Sequence, residues 1–422
     1  MMSKTLKTDP SCMDDFDPNS LTVEQARKRI HESITAIDGF ESVAIRRALG
    51  RTLATAILSP INVPSHTNSA MDGYAVNSRE LPATGQHTLS VCGTALAGHP
   101  LAFEVKAGQC ARIMTGAMLP PGTDTIIMQE HVERDGDVIR IDNRSKPGQH
   151  VRQLGEDLST GQTVLEAGRC ITPADLGLLA SLGIAEVQVR RKLRVAFFST
   201  GDELRSIGQA LETGQIYDSN RYTLYGALTA LGVDILDMGV IPDDREKIEQ
   251  AFHHAAENAD AMITTGGVSV GEADFVKETL DKLGQVGFWK ISMKPGRPLS
   301  FGKVGKANFF GLPGNPVSAM VTFYQIVQPA LNQMMGKNDI EPVSIQARCV
   351  SALKKSAGRV EYQRGIMETD EQGQMVVHST GHQGSHILRS MSLANCFIVL
   401  DLESAGAEAG EMVTIQPFYG LF

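Results

Sequence analysis

The stretch ITTGGVSVGEADF, Ile263 to Phe275, decides how this chain is read. An apolar run stops at two glycines, passes Ser269 and a third glycine at Gly271, and reaches Glu272 and Asp274 where a helical pattern begins. Such a run reads as a buried strand that leaves its sheet through bare backbone. Glycines there suit a tight turn or a phosphate cradle, but neither needs the acids. Gly266 to Gly271 has P-loop spacing, yet Glu272 and Ala273 stand where that loop carries Lys and Ser or Thr. No G-x-G-x-x-G is present, so neither an ordinary ATPase nor a dinucleotide site is supported.

Outward from this stretch, residues 191 to 338 alternate strand and helix. KLRVAFFST, VDILDMGVI and DAMITTGG read as strands, YDSNRYTLYGALTALG and DDREKIEQAFHHAAENA as helices. A hairpin follows in LSFGKVGKANFFGL, and PVSAMVTFYQIVQPALNQMM is a closing helix. This alternation predicts a doubly wound, largely parallel α/β sheet. On either side the pattern changes. Residues 21–59 read as two helices, LTVEQARKRIHESITAI and SVAIRRALGRTLATAIL, and 156–190 returns to helix at TPADLGLLASLGI; together they predict a helical linker domain. Between them, 60–155 is a β-rich inserted domain of short, turn-punctuated runs. From 339 to 422 only strands are expected, as a small β-barrel or sandwich. Residues 1–20 are polar and read as a disordered tail without a secretory h-region.

Composition narrows the function. A net charge of −9 argues against a general nucleic-acid binder, and no apolar run has the length of a membrane span. The six cysteines lie far apart with no C-x-x-C pair, which predicts reduced thiols in the cytoplasm and leaves oxygen as the ligand for any metal.

In open α/β sheets ligands sit outside the carboxyl ends of the strands. Three such ends look alike: FFSTGDEL runs through Ser199, Thr200 and Gly201 to Asp202 and Glu203; ITTGGVSVGEADF through Gly266 and Gly267 to Asp274; VIPDD through Pro242 to Asp243 and Asp244. Taken singly, each is a tight turn followed by a helix-capping acid. Three at one rim suggest amides that bind an anion and carboxylates that bind a bridging Mg²⁺. Positive charge arrives at the next strand end, WKISMKPGRPL, with Lys290, Lys294 and Arg297, either a solvated basic loop or an oxyanion clamp. GLPGNPVSAM then enters the closing helix with Asn315 as N-cap, Pro316 at the first helical position and Ser318 near the positive end of its dipole. Elsewhere, NSAMDGYAV places Asp72 in a turn, IMTGAMLP places Thr115 in another, and RQLGEDL offers Arg152, Glu156 and Asp157, which a surface ion pair would explain equally well.

NSAMDGYAV, RIMTGAMLP, RQLGEDL, FFSTGDEL, QIYDSNRY, TTGGVSVGEADF, MKPGRPL, GLPGNPVSA and GHQGSHI, in this order, resemble the molybdopterin molybdenumtransferase (MoeA) family, similar to the E domain of gephyrin. The resemblance covers the chain from about residue 20 onward. It implies an enzyme that takes adenylylated molybdopterin and molybdate, cleaves the pyrophosphate-type bond, inserts molybdenum into the dithiolene and releases AMP with the help of Mg²⁺. It also implies four domains and an elongated homodimer whose sites are built between subunits. By motif match, Asp72, Thr115, Glu203, Asp243 and Asp274 carry the chemistry, with Glu203, Asp243 and Asp274 as metal ligands. The substrate-binding set becomes Arg152, Asp157, Asp218, Ser219, Gly266, Gly267, Ser269, Lys290, Lys294, Arg297, Pro313, Pro316 and Ser318. Thr67 departs from the Asp that many members carry before NSAMDGYA. Molybdate is a tetrahedral oxyanion, so Arg297, Ser318 and the helix start at Asn315 are chemically suited to it. The adenylyltransferase that supplies the substrate and the acceptor molybdoenzymes are implied partners. The alternatives are that adenylyltransferase activity itself, or a gephyrin-like scaffold.

Overall fold

A six-stranded sheet organises the middle of the chain. Its order is Asp234–Ile241, Arg194–Thr200, Ala261–Thr265, Ala307–Leu312, Pro298–Val304, Gly284–Lys290. The first four strands are parallel and the Pro298–Val304 strand is antiparallel to both neighbours. The computed structural model describes residues 20–266, 275–338 and 341–418. Gly267, Ser269, Glu272 and Asp274 therefore lie outside the described residues, as does the tail.

The sequence makes this sheet two-faced. Val195 and Phe197 join Ile263, Phe310 and the helices Val23–Ser33, Ser219–Leu231 and Pro316–Thr322 in one core. Ala196 and Phe198 turn the other way, to Met262, Phe309 and the helices Arg245–Asn258 and Phe275–Leu283. Consecutive strand residues face opposite sides, so a run that is apolar throughout must be covered twice. Phe252 sits between Phe198 and Phe309, with ring centroids 5.4 and 5.6 Å away.

Residues 316–334 form the closing helix, but its middle, Phe323–Val327, is wound as a π-helix. The cause is Pro329, which has no N–H to give the Gln325 carbonyl. That carbonyl accepts the Arg27 guanidinium at 2.6 Å instead, while Gln328 donates back to Phe323. The first helix is thereby fastened to the closing one.

The second expected helix, SVAIRRALGRTLATAIL, is not one. Phe40–Ala44 is a strand paired antiparallel with Glu186–Arg190, Ile45–Arg47 is a single 3₁₀ turn, and Ile57–Leu58 is a short strand. Gly39 and Gly50, at φ 98° and 72°, break the chain on both sides. Val43, Leu53 and Val189 still fill one core, so pairing with a distant strand overrode a helical spacing of apolar residues. The helix at Pro173–Ser181 does form, with Thr172 as N-cap.

Residues 60–155 hold a separate six-stranded sheet, in the order Thr125–Met128, Gly73–Val76, Gln109–Ile113, Gln86–Ala95, Val138–Asp142, Glu133–Asp135. At the C-terminus, Val360–Thr369, Met375–Ser379, Ile345–Cys349, Met412–Pro417 and Cys396–Leu400 pair in sequence, and the last pairs back to the first. The result is a closed five-stranded barrel. No helix among the described residues is long and apolar enough to cross a membrane.

Candidate active site at the strand ends

The parallel strands end together, and their exits form one rim. Gly266 leaves the Ala261–Thr265 strand at φ 86°, and a Cβ there would lie 2.7 Å from the Thr200 carbonyl oxygen. Gly314, in the next exit, packs against the Gly266 Cα. At Gly266 only glycine lets the backbones approach so closely, whereas a Cβ on Gly314 would make an ordinary contact at 3.9 Å. Beneath them the Thr200 hydroxyl is buried without a partner among the described residues.

Carboxylates collect at the neighbouring exits. The Asp243 amide donates to Asp202 Oδ1 at 3.2 Å, which ties the VIPDD turn to the STGDEL turn. Burial pushes the Asp243 carboxyl above its usual value, and the charges of Asp202 and Glu203 push it further. Glu203 folds back over Gly201, where a Cβ would stand 2.5 Å from its Oε2. Three acids thus share a patch in which two of them raise the third, and their hard oxygen donors fit a divalent cation such as Mg²⁺. Among the described residues no three of them already converge at ligating geometry. Asp202 stood beside Glu203 among the acids expected at the strand ends but was not in the motif-matched ligand set.

The antiparallel strand pair returns Lys290 and Arg297 to the same rim, at the end of one strand and just before the start of the other. The Ile291 amide donates to the Arg297 carbonyl at 2.7 Å and closes the loop between them. Gly296 lies on the closing helix, where a Cβ would meet Thr322 Oγ1 at 2.4 Å. Lys294 is drawn elsewhere: Met293–Lys294 pairs with the barrel strand, and the ammonium stands 3.4 Å from the buried Glu361.

Asp218 caps the Ser219–Leu231 helix by accepting from the Arg221 amide at 3.1 Å, and its other oxygen is buried without a partner among the described residues. Asn220, one residue past the half-buried Ser219, donates to the Gly314 carbonyl at 2.7 Å, which sets this helix start against the Pro313–Pro316 turn. Ser318 is buried on the closing helix. The Val317 amide donates to the Ser385 carbonyl at 3.1 Å, so the GHQGSHI loop of the barrel already occupies part of that helix start. Neither Asn220 nor Ser385 was legible as a site neighbour, because each acts through a contact with a distant segment.

Asp72 and Thr115 form a unit of their own. Asp72 Oδ1 accepts from the Thr115 amide at 2.7 Å and from its hydroxyl at 2.9 Å. These bonds, the amide's first, hold the carboxyl below its usual value. Arg152 pairs with Asn68 in a short ladder of the same module, and Asp157 donates its amide to the Val63 carbonyl. Both side chains are exposed, and among the described residues neither joins an ion pair, so the surface ion pair that would explain them is not there. Among the described residues, nothing in 65–152 hydrogen-bonds to the α/β sheet domain. A cavity of ≈ 520 Å³ lies away from the rim, between the first helix and the closing helix, lined by Arg27, His31, Pro329 and Glu341 among others.

Comparison with known proteins agrees with this layout. Residues 21–183 match the MoeA N-terminal region (domain I and II), 196–333 the "Probable molybdopterin binding domain", and 346–418 the MoeA C-terminal region (domain IV). The chain is 49% identical over 400 residues to the molybdopterin molybdenumtransferase of Haemophilus influenzae, covering 94% of this chain and 98% of that one. It is 33% identical to gephyrin of Dictyostelium discoideum, over 94% of this chain and 62% of the relative. The crystal structure of a molybdopterin biosynthesis moeA protein from Pyrococcus horikoshii superposes with a TM-score of 0.82 at 30% identity, covering 94% of this chain and 100% of that one. The order of the matched regions, the extent of the identity and the superposition lead to one conclusion: the chain belongs to the MoeA family.

Proposed function

We propose that this chain is a molybdenum insertase, which transfers molybdenum from molybdate to adenylylated molybdopterin with release of AMP. The observation that carries the reading is the rim itself, where glycine backbones, a patch of acids and two basic residues meet at adjoining strand ends. The amides around Gly266 and Gly314 and the Thr200 hydroxyl are suited to the substrate's phosphates. Lys290 and Arg297 bring the positive charge that a P-loop would carry on its own lysine. Glu203 and Asp243, together with Asp202 and with Asp274, which lies outside the described residues, would hold Mg²⁺. Bound there, the ion would supply charge neutralisation at the phosphates. The lone Asp218 oxygen is an acceptor for the N–H groups that a pterin edge presents. No cysteine occurs between residues 191 and 338, which fits a reaction in which the substrate's own dithiolene takes the metal.

The reading includes a homodimer. The Asp72–Thr115 unit belongs to a module that, among the described residues, makes no hydrogen bond to the rim's own domain, and a second copy could bring it there. Ile207, Leu211, Ile216, Tyr217, Tyr222 and Tyr225 are exposed over a short span of the α/β domain, as an interface would need. Unpaired cysteines suit a reducing cytoplasm. An adenylyltransferase would need neither the inserted β module nor the barrel, and a scaffold would need no acid patch. The test is AMP release by purified protein given adenylylated molybdopterin, molybdate and Mg²⁺. Release independent of molybdate would overturn the reading. Mixing inactive D72N with inactive D243N should restore part of the activity if sites are shared between subunits, and no recovery would reject that arrangement.

A further inference from the structure

The joint between the linker segments and the α/β domain carries a concentration of positive charge unrelated to the rim. Arg51, Arg190, Arg191, Lys192 and Lys337 line one small pocket, closed by the end of the Ser219–Leu231 helix at Gly232. Three of the five have carboxylate partners. Arg51 bonds Glu41, Arg191 grips both oxygens of Asp260 at 2.8 Å, and Lys192 stands 3.7 Å from Asp234. The other two do not. Arg190 reaches the Ile37 carbonyl at 3.4 Å with one nitrogen, and its Nε is buried without a partner among the described residues. The half-buried Lys337 ammonium makes no hydrogen bond or ion pair among the described residues. Burial pushes it below its usual value, opposed only by the nearby Cys170 sulfur. Carbonyls at helix ends attract cations in general, but neither of these groups bonds one there among the described residues.

We propose that this pocket binds a small inorganic anion between the Arg190 guanidinium and the Lys337 ammonium. Its room is ≈ 20 Å³, enough for one water-sized occupant. A halide fits whole, and a phosphate or sulfate places one oxygen there. A water would satisfy the Arg190 donor but leave two charges uncompensated. Gly336 leaves the Arg190 guanidinium uncrowded, because a Cβ at that position would lie 3.3 Å from its Nε. The anion ties the Glu186–Arg190 strand of the linker to the end of the closing helix, and so stiffens the joint that sets the linker's angle.

The test uses the full-length protein at constant ionic strength, exchanging gluconate for bromide, chloride or phosphate while the melting temperature is followed. The expected result is a saturable rise for the wild type. In gluconate K337M should melt at or above the wild type, because it removes a half-buried charge with no partner among the described residues. In saturating anion it should melt below. AMP release should be unchanged in both. R190Q supplies the same comparison should K337M fail to fold, and bromide-soaked wild-type crystals should show an anomalous peak between Arg190 and Lys337. A response to phosphate but not to halides would assign the site to oxyanions. Equal responses of wild type and both variants, or no peak, would overturn the proposal, and would leave the reading of the rim untouched because no rim residue is altered.

Discussion

Asp72 and Asp243 are the same side chain in opposite situations. Asp72 accepts an amide and a hydroxyl from Thr115 and is held charged below its usual range. Asp243 lies among Asp202 and Glu203 and is pushed above it. The first is a completed unit in the β-rich module, ready to act as a fixed charge. The second belongs to an incomplete one, and what would complete it is a cation. A motif match gives both the same weight, whereas their surroundings push the two carboxyls in opposite directions, which under the proposed function suits one to a fixed charge and the other to a cation.

The largest expected effect tests Asp243. D243N should lower AMP release by roughly 10²–10³-fold, the cost of losing one preorganised electrostatic group. Its stability should move the other way. A carboxyl whose folded pKa is raised contributes stability only below its unfolded value, and that stability is lost as pH rises through the folded value. At neutral pH D243N should therefore melt at or above the wild type, and a marked fall would show that Asp243 is structural.

Next, G266A places a Cβ against the Thr200 carbonyl in a left-handed conformation. It should cost about 1–3 kcal/mol in denaturant unfolding, the usual cost of such strain, and should abolish AMP release. Wild-type stability with retained activity would remove Gly266 from the cradle.

Mg²⁺ separates the two aspartates directly. Millimolar Mg²⁺ should raise the melting temperature of the wild type and of D72N but not of D243N, and an equal rise in all three would place the ion elsewhere. The smallest effect concerns Asp72 alone. Its depressed carboxyl contributes stability above the unfolded value that is lost as pH falls through the folded one. In T115A the amide donor remains, so the Asp72 carboxyl, followed by ¹³C NMR titration, should move only part of the way back. No movement would mean that the hydroxyl contributes nothing.

Much of this was legible in the chain itself. The apolar runs at 194–200 and 261–265, with glycine and acids at their ends, announce strands covered on both faces and a rim at their exits. Capping chemistry at Thr172 and Asp218 marks helix starts because those interactions span only three residues. Where the pattern misled, at residues 42–58, the apolar spacing suited a helix, and a partner strand more than 140 residues away took the segment instead. No local rule contains that partner.

The sequence by itself determined the fold class, the family and which acids follow the strand ends, because glycine, proline and carboxylate spacings are local and the motifs are dense. Tertiary structure alone decided how those residues divide. It set Asp243 beside Asp202 and Asp72 beneath Thr115, turned Lys294 toward the barrel, and laid Ser385 on the helix start that also holds Ser318. The physical reason is that charge, burial and hydrogen bonding belong to the space around a group, and that space is filled by segments far away along the chain.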